Sequence, residues 1–197
     1  MRLGKSIIAF ASVAILVLAG LWAWRGRLQA PAPAPSAIGG PFRLVSDTGA
    51  RVDQRLLLGK WSAIYFGYSF CPDVCPTTLA ALSQAIQQLG PRARSLQVVF
   101  ITVDPARDTP AQLHAYLASP SFPRGVIGLT GSPDAIKAVA SAYHVYYSRH
   151  QEGPGPYSVD HTSIIYVMDP EGKFVRPLTP GAPAEMASQI SQAMAER

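Results

Sequence analysis

The chain has 197 residues, enough for one well-buried domain with an appendage, and a formal charge of +5. Arg2, Lys5, Arg25 and Arg27 stand in the first 40 residues without an acid, which leaves 13 basic against 12 acidic residues in the remainder. A body so close to neutral excludes a nucleic-acid binder that works by neutralising phosphates.

Ser6 to Trp24 is an uncharged, largely apolar run, close to the roughly 20 residues that cross a bilayer as a helix. Trp22 and Trp24 suit the membrane interface, and Arg25 and Arg27 close the run. A cleaved signal peptide is the competing expectation, since Ala30-Pro31-Ala32 has small residues in the right pattern. The run is longer than a signal core of about 7–15 residues, however, and prolines suit a cleavage site poorly. Residues 1–27 are therefore expected to be an uncleaved anchor with flanking charges. Arg2, Lys5 and the terminal amine slightly outweigh Arg25 and Arg27, which favours an N-terminus in the cytoplasm and the domain outside. No Arg- and Ser-rich presequence is evident, so the expected setting is a bacterial inner membrane with the domain in the periplasm. Leu28 to Pro41 is rich in Ala and Pro and is expected to be an extended spacer; residues 42–197 then form the folded domain.

Phe42-Arg43-Leu44-Val45 and Arg51-Val52 flank Asp47-Thr48-Gly49, a hairpin signal. Trp61 to Tyr68 reads as a buried strand, and Thr77 to Leu89 as a helix with Leu79, Leu82, Ile86 and Leu89 at helical spacing. Leu96 to Val103 is a second buried strand. Thr109 to Leu117 predicts a helix with Pro110 at its first position, and Val126 to Thr130 a short strand. Ser132 caps a helix that opens at Pro133 and runs to about Tyr143. His144 to Arg149 is expected as an edge strand, followed by a Gly/Pro loop from Gln151 to Pro156. Ser163 to Met168 and Lys173 to Arg176 pair around Asp169-Pro170-Glu171-Gly172, and Ala184 to Ala195 closes the chain as a helix with Met186, Ile190 and Met194 on one face. Strands alternating with helices describe an α/β sandwich. A cysteine pair between its first long strand and helix is the thioredoxin arrangement, here with three intervening residues instead of two.

Both cysteines lie in Gly67-Tyr68-Ser69-Phe70-Cys71-Pro72-Asp73-Val74-Cys75-Pro76. If the first helical turn includes both, positions four apart share a face and the sulfurs point the same way. Unpaired amides and the helix dipole favour thiolate there. A disulfide would close a loop of only a few residues and add little stability, so the pair points to metal binding or redox chemistry, with Asp73 and the prolines shaping an accessible turn. A metal needs a further ligand. His114, on an amphipathic helix, and His144 and His150, beside a tyrosine-rich segment, read as surface or edge-strand histidines. His161, in Val159-Asp160-His161-Thr162, stands between a flexible loop and an apolar strand; position alone leaves it open as a ligand, with Asp160 either orienting the imidazole or capping the loop. Two thiolates and an imidazole form a soft set suited to Cu(I), with zinc the competitor. Val103-Asp104-Pro105-Ala106-Arg107-Asp108-Thr109-Pro110 follows the second strand and should lie near the cysteine turn. Asp108 or Thr109 is expected as an N-cap, Arg107 as the partner of a nearby acid, and Asp104 and Arg107 as supporting residues.

Three stretches together resemble the SCO/SenC family of membrane-anchored copper proteins: Gly67 to Pro76, Asp104 to Pro110, and Tyr157-Ser158-Val159-Asp160-His161-Thr162. Ser69 and Thr162 stand where threonine and serine are common. The resemblance implies a thioredoxin-like domain that binds copper, as Cu(I) and/or Cu(II), through Cys71, Cys75 and His161. It also implies delivery of the metal to the binuclear copper A centre in subunit II of cytochrome c oxidase, with another copper carrier or a thiol reductant as further partners. The alternative is a membrane-tethered thiol-disulfide reductase, which needs Cys71 and Cys75 but not His161. A peroxidase would need one nucleophilic thiolate.

Overall fold

A computed structural model describes residues 38–196 apart from 152 and 154. The expected anchor and most of the spacer lie outside the described residues. No helix among the described residues is long and apolar enough to cross a membrane.

The described chain begins with the hairpin of β1 (Arg43–Ser46) and β2 (Arg51–Asp53), whose turn places Gly49 at φ 84°, a conformation that favours glycine. A 3-10 turn over Gln54–Leu57 leads to β3 (Trp61–Gly67). The helix α1 (Val74–Gln88), a second 3-10 turn over Gly90–Ser95 and β4 (Leu96–Thr102) follow. Next come α2 (Pro110–Leu117), β5 (Ile127–Thr130) and α3 (Pro133–Ala142). The chain then forms β6 (Tyr147–His150), β7 (Ser158–His161), β8 (Ile165–Met168), β9 (Phe174–Leu178) and α4 (Pro183–Ala195). Thr109 and Ser132 cap α2 and α3 through their side chains, each with proline at the first helical position, as their sequences predict.

Seven strands form one sheet in the order β2-β1-β5-β4-β3-β8-β9. β3, β4 and β5 are parallel, and the outer pairings are antiparallel. β3 is buried at every position, as a central strand covered on both faces must be. Phe66 and Phe100 are fully buried, each contributing about 1.5–3 kcal/mol over the exposed state. This is a mixed α/β, thioredoxin-like fold with an N-terminal hairpin added to the sheet.

Two features place the site. Gly67 pairs with Thr102, so the loops leaving β3 and β4 emerge together at the carboxyl end of the parallel strands. β8 runs the other way and starts with Ile165 opposite Tyr65, so the segment just before it, with His161, arrives at that same end.

The structure differs from expectation in three places. α1 starts at Val74, three residues before Thr77; Pro76 is tolerated because the first amides of a helix have no intrahelical acceptor. His144 to Arg149 is not an edge of the main sheet. After α3 the backbone turns at His144, φ 55°, and β6 pairs with β7 in a separate two-stranded ribbon. β7 itself was not expected, since Ser-Val-Asp-His is short and mostly polar.

Candidate metal centre

Only Cys75 belongs to α1; Cys71 precedes it in the turn. The two sulfurs nonetheless meet, because the Cys75 amide donates to the Cys71 Sγ at 3.4 Å, a sulfur standing where a capping oxygen would. Both cysteines are free. Cys75 is fully buried and Cys71 half-buried. Gly67 makes room for the deeper sulfur, since a Cβ there would lie 2.9 Å from the Cys75 Sγ and 2.9 Å from the Phe100 ring.

His161 Nε2 lies 3.5 Å from the Cys75 Sγ, although 86 residues separate them. Its Nδ1 donates to the Thr162 carbonyl at 3.1 Å, which orients the ring so that Nε2 faces the sulfur. The Tyr65 and Tyr68 rings meet the imidazole edge-on at 6.2 and 6.0 Å. Two donors bound to one ion at about 2.0–2.3 Å stand about 3.5 Å apart, so Cys75 and His161 already have the spacing a shared ion requires. Among the described residues no three Cys, His, Asp or Glu side chains are preset around one point, and the Cys71 sulfur rests on the Cys75 amide.

The pair is electrically asymmetric. The hydrogen bond from the Cys75 thiol, helped by His161 and by the amides of Cys75 and Asp73, draws the Cys71 pKa down to about 3. The same hydrogen bond, in which Cys75 is the donor, and burial push the Cys75 pKa far up. In the reduced chain Cys71 is the thiolate and Cys75 the thiol. Iodoacetamide is therefore expected to label Cys71 in the folded, metal-free protein and Cys75 only after unfolding, as peptide mapping by mass spectrometry would read. The Cys71 rate should be nearly flat from about pH 5 to 8, where an ordinary thiol with pKa about 8.5 slows steeply on acidification.

The loop after β4 supports this turn. Asp108 is fully buried and accepts hydrogen bonds from the Ser69 amide at 3.1 Å, the Ser69 hydroxyl at 2.6 Å and the Thr102 hydroxyl at 2.6 Å. Burial pushes its carboxyl pKa up, and these bonds oppose that shift. Thr109, not Asp108, is the N-cap. Asp104, also fully buried, pairs with Arg107, as the sequence suggests, and with Arg149 at 3.0 Å.

The remaining residues are placed differently from one another. Asp73 precedes α1 and accepts from the Thr77 hydroxyl at 3.2 Å. Asp160 does not orient the imidazole: its exposed carboxylate lies 3.1 Å from His150 Nε2 across the ribbon, because neighbouring residues of a strand point to opposite faces. His114 pairs with Asp47 at 3.0 Å, and His144 lies beyond α3 and its cap Tyr143. Tyr68, Ser69, Arg149 and Tyr157 carry no assigned role in the sequence reading, although Arg149 and Tyr157 stand close to the Gly/Pro stretch of residues 151–156.

A cleft of about 340 Å³ lies between Cys71, Pro72 and Val74 on one side and Val159, His161 and Ser163 on the other. Its volume lies near the lower end of the range of small-ligand clefts, about 300–1,000 Å³. A larger cleft of about 530 Å³ at the opposite ends of the strands, between Lys60 and Arg124, contains neither cysteine nor histidine.

Residues 30–196 match the family model described as SCO1/SenC. The mitochondrial SCO1 homolog 1 of Arabidopsis thaliana is 46% identical over 142 residues, which cover 72% of this chain and 42% of that protein. SenC of Rhodobacter capsulatus is 45% identical over 140 residues, covering 70% of this chain and 62% of its own length. The chain thus spans about half the length of these relatives. The structure of Bradyrhizobium japonicum ScoI with copper bound superposes with a TM-score of 0.72 at 42% identity, covering 80% of this chain and 99% of that one. With its family model matched from spacer to last helix, and its fold shared with a copper-loaded relative, the chain belongs to the SCO1/SenC family.

Proposed function

We propose that the protein is a membrane-tethered copper carrier in which Cys71, Cys75 and His161 hold one copper ion as cargo. The delivery site is the binuclear copper A centre in subunit II of cytochrome c oxidase. The convergence of Cys75 Sγ and His161 Nε2 to 3.5 Å, from segments far apart in the chain, carries the reading. A soft donor set of two sulfurs and one nitrogen suits copper, and a relative at 42% identity was solved with that metal. Release follows from the same geometry: with three ligands an incoming thiolate displaces them one at a time, and the half-exposed Cys71 leaves first. Residues 1–27 anchor the carrier in a bacterial inner membrane, residues 28–41 hold it off the surface, and residues 42–197 work in the periplasm.

A single comparison tests this. The chain and its His161→Ala variant are purified anaerobically, loaded with copper and desalted against a chelator. The parent is expected to keep about one copper per chain and the variant to lose it, while the variant still forms and reduces its Cys71–Cys75 disulfide. Equal retention of copper overturns the ligand set.

One observation favours a second reading, a thiol-disulfide reductase: the accessible thiolate paired with a buried thiol. Cys71 would attack one sulfur of a partner's disulfide and expel the other as thiolate. Cys75, releasing its proton to the thiolate already expelled, would then attack Cys71 in the mixed disulfide, breaking its bond to the partner and expelling the partner's second sulfur as thiolate. Two electrons pass to the partner, and a Cys71–Cys75 disulfide remains for an external thiol reductant to restore. Full oxidase assembly in cells carrying His161→Ala would select this route.

A further inference from the structure

The ribbon that brings His161 to the sulfurs belongs to a different sheet from the one that positions the cysteines, so ladder hydrogen bonds do not set the distance between them. A compact polar and aromatic stack lies between the two, beside a hydrogen bond from the Val159 amide to the Tyr68 hydroxyl at 3.3 Å. The fully buried Asp104 carboxylate gathers Arg107, the Arg149 Nη2 of β6 at 3.0 Å and the hydroxyl of Tyr157, just before β7, at 2.8 and 3.0 Å. Arg107 Nη1 donates to the Tyr157 carbonyl at 3.0 Å. Its guanidinium lies 3.7 Å from the Tyr157 ring centroid, 4.8 Å from that of Phe70 and 5.6 Å from that of Tyr68. Among the described residues Nη2 is buried without a hydrogen-bond partner, and the ring faces stabilise that edge of the cation. One flat cation is thus in contact both with the ribbon, through Tyr157, and with the cysteine turn, through Tyr68 and Phe70.

We propose that Arg107 and Tyr157 are positioning residues for His161, and that their stack sets the imidazole-to-sulfur distance on which the proposed copper site depends. The inference rests on the ligand set above. A planar guanidinium is required: lysine keeps the charge but neither stacks as a plane nor forms the fork that meets Asp104 and the Tyr157 carbonyl together. Ligand sets tolerate misplacement of only about 0.5 Å, so a loosened ribbon weakens binding without removing any ligand.

The test uses the 197-residue chain in detergent, with Arg107→Lys and Tyr157→Phe, each alone and combined with His161→Ala. Amide hydrogen exchange of the metal-free proteins comes first. Residues 147–150 and 158–161 are expected to exchange faster in both single variants, with β3 and β4 unchanged. Cu(I) affinity, read by competition with a chromogenic chelator, is expected to fall about 10–100-fold for Arg107→Lys, as for lost supports of metal ligands elsewhere. In the His161→Ala background the same change should produce no further loss. The thiolate-to-Cu(II) absorption band should shift in Arg107→Lys, a change that mere destabilisation of the fold does not cause. Unchanged ribbon exchange overturns the proposal, and so does an equal loss of affinity in both backgrounds. If His161→Ala alone binds copper like the parent, the ligand set falls, and the exchange data still decide whether the stack holds the ribbon.

Discussion

Asp104→Ala is expected to lower the stability of the folded domain by about 3–5 kcal/mol, the cost of removing one partner from a buried ion pair. The carboxylate is 0% exposed, and its main partner, Arg107, is 18% exposed. Without it the Arg107 cation keeps only the Tyr157 carbonyl and its ring contacts, and the Tyr157 hydroxyl loses both of its contacts. Arg149 contributes less, because its side chain is half exposed and water screens it. At about 2–4 °C per kcal/mol for a chain of this size, melting should fall by about 6–20 °C. Asp104→Asn keeps the volume and one acceptor and should fall between the two. A loss below about 1 kcal/mol in chemical denaturation would mean that the cluster is an ordinary solvated one.

Gly67→Ala is expected to damage stability and copper binding together. The added methyl would stand 2.9 Å from the Cys75 Sγ and 2.9 and 3.0 Å from two atoms of the Phe100 ring. Both neighbours are fully buried, and the backbone is held by its pairing with Thr102, so neither side yields freely. Overpacking of this kind costs about 1–3 kcal/mol. The sulfur is the smaller obstacle and should move, taking one proposed ligand away from His161. Gly128→Ala is the matched control. Its Cβ would meet Leu117 Cδ1 at 2.7 Å, away from the cysteines, so it should destabilise to a similar degree and leave copper affinity intact. Equal copper affinity in Gly67→Ala and the parent, measured by chelator competition, would show that the close approach of strand and sulfur is incidental.

What was legible in the sequence is what local pattern encodes. Continuous apolar runs revealed β3 and β4, and Thr109-Pro110 and Ser132-Pro133 marked two helix starts within a residue, because capping is a local reaction of side chain with amide. His161 stood out as a histidine between a Gly/Pro loop and an apolar strand. Three-dimensional pairing was less visible. Asp108 reads as a helix cap among Asp, Thr and Pro, and nothing local reveals that it reaches back to Ser69, 39 residues earlier. Asp160 adjoins His161 in sequence, which suggested a partnership that strand alternation forbids. Arg149 lies in, and Tyr157 just before, the strands of a ribbon whose second strand has only one buried residue, Val159, too weak an alternation to register.

The order of the main sheet has a further consequence for a protein crowded beside its own copies. Its two outermost strands carry the open backbone groups on which other chains could add. β2 is three residues long and bears Arg51 and Asp53, while β9 includes Arg176 and Pro177, and proline has no amide to offer an intruder. Both borders are thereby blunted against the addition of a strand from another copy.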